Sequence, residues 1–109
     1  MINFILDRFT GKVPLLSKRS NKWPAVRKAY LVDHGTCAAC GSVNKLEVHH
    51  IKPFHLHPEL ELDPTNFISL CESGDHGINC HLQVGHLGNF KNENPNVVRD
   101  AAAMLALIK

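Results

Sequence analysis

No apolar run in this 109-residue chain approaches the roughly 20 residues needed to cross a bilayer, so no membrane-spanning helix is expected. Met1 to Leu6 is too short for a secretory leader and carries no basic stretch, so the cytoplasm is the expected compartment. No internal repeat is present. Without an export signal, the four cysteines are expected to stay reduced, which favours metal binding over disulfides. A hydrophobic content of 44% is ordinary for one globular domain. A domain of this length buries only a modest part of its surface, so a metal cross-link would help it fold.

The net charge of +2 hides an asymmetry. Residues 1–30 hold seven basic groups (Arg8, Lys12, Lys18, Arg19, Lys22, Arg27, Lys28) and one acid, Asp7, whereas residues 31–109 hold five basic and nine acidic groups. Two readings are open for the basic end: contact with a phosphate backbone, or a solvated tail.

Residues 1–22 read as a basic arm and linker, broken by Gly11, Pro14 and the polar run Ser17–Asn21, ahead of a domain over 23–109. A helix is expected from Pro24 to His34. Pro24 suits a first turn, Val26, Tyr30 and Leu31 form an apolar stripe, and Gly35 is a stop. Leu46 to Ile51 and Phe67 to Leu70 read as two short paired strands, with a loop from His55 to Pro64 between them. A helix is expected from about Cys80 toward Phe90, weakened by Gly85 and Gly88. A last helix is expected from Val97 to Ile108, burying Val97, Ala101, Met104, Leu105 and Ile108.

Cys37-x-x-Cys40-Gly41 reads as a zinc knuckle, a tight turn that aims two thiolates at one ion, with Gly41 easing the backbone around the sulfurs. Cys71 and Cys80 supply the other two ligands of a structural zinc, and His76 between them is an alternative ligand. Such a site has a full first shell and no open position.

Between the cysteines lie His49 and His50, in the run Leu46-Glu47-Val48-His49-His50-Ile51-Lys52-Pro53. Neighbours on a strand point to opposite faces, so the two imidazoles cannot both ligate one metal from an ideal strand. One as ligand and the other as base is the natural division. Asn66 and Cys80-His81 follow. With Trp23-Pro24-x-Val26-Arg27, Leu62-Asp63-Pro64-Thr65-Asn66 and Gly85-His86-Leu87-Gly88, these motifs resemble phage-type members of the HNH endonuclease family from about Cys37 to Phe90.

The resemblance implies an α+β fold: a small ββα-metal core with a zinc knuckle, flanked by helices. It implies a metal-dependent endonuclease acting on DNA phosphodiesters, with nicking or low sequence specificity expected. His50 would be the general base, His49 and His81 ligands of the catalytic metal, and Asn66 the residue that pins the loop and orients His50. Asn66 alone also reads as a turn residue after Asp63-Pro64. Eight residues separate Cys71 from Cys80, a longer insertion than is usual in the family. His86 lies five residues after His81, off the face that three- or four-residue spacing would share, and three roles are open to it: third ligand, phosphate contact or packed histidine. Histidine ligands favour Zn2+, Ni2+ or Mn2+ over Mg2+ at the catalytic site. Lys52, Arg27, Lys28 and Arg19 are the candidate phosphate contacts. DNA is the expected partner, with a phage terminase as a further one by resemblance. The rival reading is a zinc-stabilised DNA- or protein-binding module without catalysis, such as a phage packaging accessory.

Overall fold

A computed structural model describes residues 19–108, and most of the expected basic arm, including Arg8, Lys12 and Lys18, lies outside the described residues. The element order is α1 (Trp23–Asp33), β1 (Leu46–His50), β2 (Phe67–Cys71), a π-helical turn (His81–Gly85) and α2 (Val97–Ile108). This is a small α+β arrangement built on a single two-stranded antiparallel sheet. No described helix is long and apolar enough to cross a membrane.

The strands pair in the register Leu46↔Cys71, Glu47↔Leu70, Val48↔Ser69, His49↔Ile68 and His50↔Phe67. Every residue of β2 is buried. α1 begins with Pro24 in its first turn, where the missing N–H costs nothing. It lies across the sheet. Tyr30 donates its hydroxyl to the Phe67 carbonyl at 3.2 Å, Arg27 donates to the Leu46 carbonyl at 3.2 Å, and the Trp23 ring meets Phe67 edge-on. The helix closes at Asp33, one residue short of expectation, with the His34 N–H bonded back to Tyr30.

The knuckle forms as the sequence implies. Gly41 takes φ +80°, its N–H bonds the Cys37 carbonyl at 2.9 Å, and the Cys37 N–H bonds the Ser42 carbonyl at 2.8 Å. Between the strands, 3-10 turns at Pro58–Leu60 and Pro64–Asn66 give the expected loop local order, the second capped by the Asp63 carboxylate on the Thr65 N–H.

Two expectations need correction. The helix toward Phe90 is only the five-residue π-helical turn His81–Gly85, because Leu87 and Gly88 both take positive φ (53° and 87°) and turn the chain out of helical geometry. The buried stripe of α2 also ends early. Val97 and Ala101 are buried and Met104 packs against the core, but the helix then runs past the domain and leaves Ile108 exposed.

Leu70 is the largest fully buried side chain, sealed between the cysteines and the start of α2. Leu70→Ala should cost about 2–5 kcal/mol, through lost transfer energy and the cavity left behind. Urea unfolding of the metal-loaded protein measures it. An unchanged midpoint would mean that the core lies elsewhere.

Candidate metal centres and active site

Three segments converge on the first centre. Cys37 and Cys40 come from the knuckle, Cys71 from the end of β2, and Cys80 from the residue before the π-helical turn. All four are buried free thiols whose sulfurs lie within 4.8 Å of one another, with Cys40 and Cys71 at 3.5 Å. Tetrahedral zinc–sulfur bonds of about 2.3 Å would put the sulfurs ~3.8 Å apart, so the donor set fits zinc. Burial pushes the Cys37 and Cys80 thiols up, and for Cys80 the neighbouring Cys37 adds to it. Four thiolates in this space therefore need a cation to hold their charge. The Cys71 N–H points at the Cys37 sulfur (3.4 Å), the kind of contact that steadies a bound thiolate. His76 is exposed and stands outside the cluster, so the cysteine alternative is the one realised.

The second centre joins His49, His81 and His86, again with ligand atoms within 4.8 Å of one another. His49 is on the inward side of β1 and only 4% exposed. Burial, then the neighbouring His81 and His86, bring its pKa down to about 3, so its ring is neutral with a lone pair free. His81 opens the π-helical turn and His86 directly follows it. A π-helical turn closes on i→i+5 rather than i→i+4, and so can bring residues five apart onto one side. Gly85 closes the same turn against His49. A Cβ there would sit 3.2 Å from the His49 ring and 3.1 Å from Leu70, so a side chain would have to push either neighbour aside by a few tenths of an ångström.

Hydrogen bonds fix how the outer imidazoles present themselves. His81 Nδ1 lies 2.9 Å from the Glu72 carboxylate, and His86 Nδ1 lies 2.9 Å from the Asn92 carbonyl. Both partners are acceptors, so both Nδ1 atoms carry the proton. The two Nε2 lone pairs then face each other at 3.3 Å, an arrangement that repels unless a cation or a proton lies between. Imidazoles tied back through the second nitrogen to a carboxylate and a carbonyl are the usual surroundings of metal-binding histidines. The three-nitrogen set fits a borderline divalent cation.

His50 points the other way, as strand alternation requires. Its Nε2 donates to the Glu61 carbonyl at 2.9 Å, which leaves Nδ1 as the free acceptor. The ring is held between Trp23 (centroids 4.7 Å) and Phe67 (5.1 Å). Burial lowers its pKa, and the Arg19 charge works the same way against the Glu61 carbonyl. Asn66 clamps the chain just beyond. Its Oδ1 accepts from the Lys52 N–H (2.8 Å), its Nδ2 donates to the Lys52 carbonyl (3.1 Å), and its own carbonyl accepts from the Ile51 N–H (2.8 Å). His50 and all three clustered histidines line one cavity of about 510 Å3.

Among the candidate phosphate contacts, Arg19 and Arg27 line this cavity. Arg27 is paired with Glu47 at 3.2 Å, and Arg19 lies 3.8 Å from Glu61 while stacking over Phe54. Lys52 and Lys28 are exposed, and neither lines the cavity. Sequence reasoning missed Glu72, the Glu61 and Asn92 carbonyls, and Trp23 as a wall against His50. Only Trp23 carried a signal, as the single tryptophan of the chain.

The site thus combines a single imidazole, a cluster of three more on the same cavity, and four buried thiols alongside. The HNH endonuclease family model matches residues 37–87, a span that contains every clustered cysteine and histidine together with His50 and Asn66. The match spans a little under half of the chain, and over that span the chain is similar to an HNH endonuclease domain. No curated protein and no solved structure gives a significant match.

Glu72→Ala removes the acceptor that fixes the His81 tautomer. It should weaken cation binding at the histidine centre roughly 10–100-fold and leave the metal at the cysteines in place. Metal titration with elemental analysis checks this, and unchanged affinity would show that Glu72 is an ordinary surface acid.

Proposed function

We propose that this protein is a metal-dependent endonuclease that hydrolyses DNA phosphodiester bonds, with His50 as general base. The observation that carries the reading is the shared cavity: a neutral imidazole with its Nδ1 lone pair free opens onto the same space as three imidazole nitrogens suited to a cation.

His50 Nδ1 accepts the proton of the attacking water, and the Glu61 carbonyl holds the ring in the tautomer that allows it. Asn66 fixes the backbone that leaves β1, so the ring keeps its aim while the strand beneath it stays paired. His49, His81 and His86 would hold the divalent cation, which supplies charge neutralisation at the phosphate and the leaving oxygen. Arg19 and Arg27, which line the cavity, would touch flanking phosphates, and the exposed Lys52 and Lys28 would add contacts outside it. These contacts read charge rather than base edges, which accords with weak sequence preference. Zinc at the four cysteines is structural.

The test is plasmid cleavage after the histidine centre has been stripped, with Mg2+, Mn2+, Ni2+ and Zn2+ restored in turn. The wild-type protein should cut only with added metal. His50→Ala should lose at least about 100-fold in rate while both centres still bind metal. Undiminished cutting by that variant would falsify the role of His50. Salt-dependent DNA binding with no cleavage under any metal would favour a binding module instead.

A further inference from the structure

Besides the histidines, three aromatic side chains line the cavity, Trp23, Phe54 and Phe90, and they differ in what their faces do. Trp23 lies against His50 and Phe67, and the Arg19 guanidinium sits 5.6 Å from its ring and 4.3 Å from that of Phe54. Those faces are taken. Phe90 lines the same cavity and is 56% exposed. Its inner side meets the histidine centre, with ring centroids 5.0 Å from His86 and 5.7 Å from His81, and its outer side is free.

Nor is Phe90 loosely placed. The turn that bears it is closed by Asn92 N–H to the Asn89 carbonyl (2.8 Å) and Lys91 N–H to the Asn89 side chain (2.9 Å). The Asn92 carbonyl in turn receives the His86 Nδ1 proton. The turn that presents the ring is therefore the one that aims a cation ligand. Lys91, next in the chain, is exposed and lines the cavity.

Resting on the nuclease reading above, we propose that Phe90 and Lys91 form a subsite for an unpaired nucleotide flanking the scissile phosphate. Phe90 stacks on the base and Lys91 contacts the next phosphate. A phosphate drawn to the cation that the three histidines would hold brings the adjoining nucleoside to the exposed Phe90 face. A base inside an intact duplex has both faces covered by its neighbours, so only an unstacked base can use the ring. The preferred substrate is DNA with an unpaired nucleotide at the cut: single-stranded, flapped or frayed.

The experiment measures binding of one oligonucleotide, single-stranded and as a duplex, with a fluorescent adenine analogue in place of one base. The full chain is used in a His50→Ala background so that the strand stays intact. With Phe90 present, the single strand should bind more tightly than the duplex and the analogue should be quenched. Phe90→Leu keeps an apolar cover over the histidines but offers no ring. It should weaken single-strand binding roughly ten- to hundred-fold and abolish quenching, with duplex binding and metal content unchanged, and Phe90→Trp should restore both. Three results overturn the proposal: quenching and affinity unaffected by Phe90→Leu, equal losses on single strand and duplex, or loss of metal from the histidine centre. The last would mean that the ring only supports its ligands. Absence of all cleavage by the protein with His50 intact overturns the nuclease reading instead, and the quenching still decides whether a base stacks on Phe90.

Discussion

Four thiolates cannot share a small buried space without a cation, and the rest of this structure is arranged around that constraint. Of the eleven buried apolar residues described, four are these cysteines, so the ion they suit would occupy the middle of the core. Its reach extends to the chemistry. Cys71 pairs across the sheet with Leu46, three residues before His49, and Cys80 directly precedes His81. A single cross-link at the sulfurs therefore sets the distance between β1 and the π-helical turn, and with it the spacing of the histidine centre. Loss of the structural ion would loosen the second centre as well as the fold, because little aliphatic core is left to hold the π-helical turn against the strand.

The sheet then divides two adjacent histidines between two tasks. His49 and His50 differ in facing, not in chemistry, and strand geometry alone separates them. Burial keeps His49 neutral and therefore able to ligate. His50 is kept in one tautomer by a main-chain carbonyl and in one place by aromatic walls. Neither relies on a flexible partner. Asn66 contributes at the point where the long loop must return, since it sits just before β2 and clamps the residues just after β1. A clamp made of side-chain amide to main chain has no charge to screen, so it holds the base equally well when an anionic backbone lies nearby.

How far the sequence discloses this depends on whether the signal is local. The knuckle was legible because two cysteines and a glycine at fixed spacing admit few conformations, and Gly41 does take the positive φ that the turn demands. The paired strands were legible because Leu46–Ile51 alternates, Phe67–Leu70 is a short, largely apolar run, and turn chemistry lies between them. His86 was not, since five-residue spacing is wrong for an α-helix and right for a π-helical turn, and nothing in Leu82–Gly85 announces which will form. The same π-helical turn explains the shortened helix, whose end rests on Leu87 as well as on Gly88. Glu72 and the Glu61 carbonyl were out of reach for another reason. They act through contacts nine and eleven residues away in sequence, and any acid or any carbonyl would look the same before the chain is folded.

The charge of the cavity follows from how its arginines are used. Arg27 is held by Glu47 and Arg19 lies beside Glu61, so each guanidinium on the wall already has a carboxylate close by. The histidines add nothing while neutral. On the proposed reading, the pull on a phosphate would therefore come largely from the cation that the three imidazoles would hold, with exposed Lys52 and Lys91 adding a weaker, salt-sensitive share. Glu61 has a second consequence. Its carboxylate accepts the Ser20 N–H while its carbonyl holds His50, so one residue ties the chain beside Arg19 to the His50 ring. On the proposed reading, a phosphate drawn to Arg19 would therefore lie close to the imidazole meant to activate water, since the Arg19 charge is near enough to lower the His50 pKa.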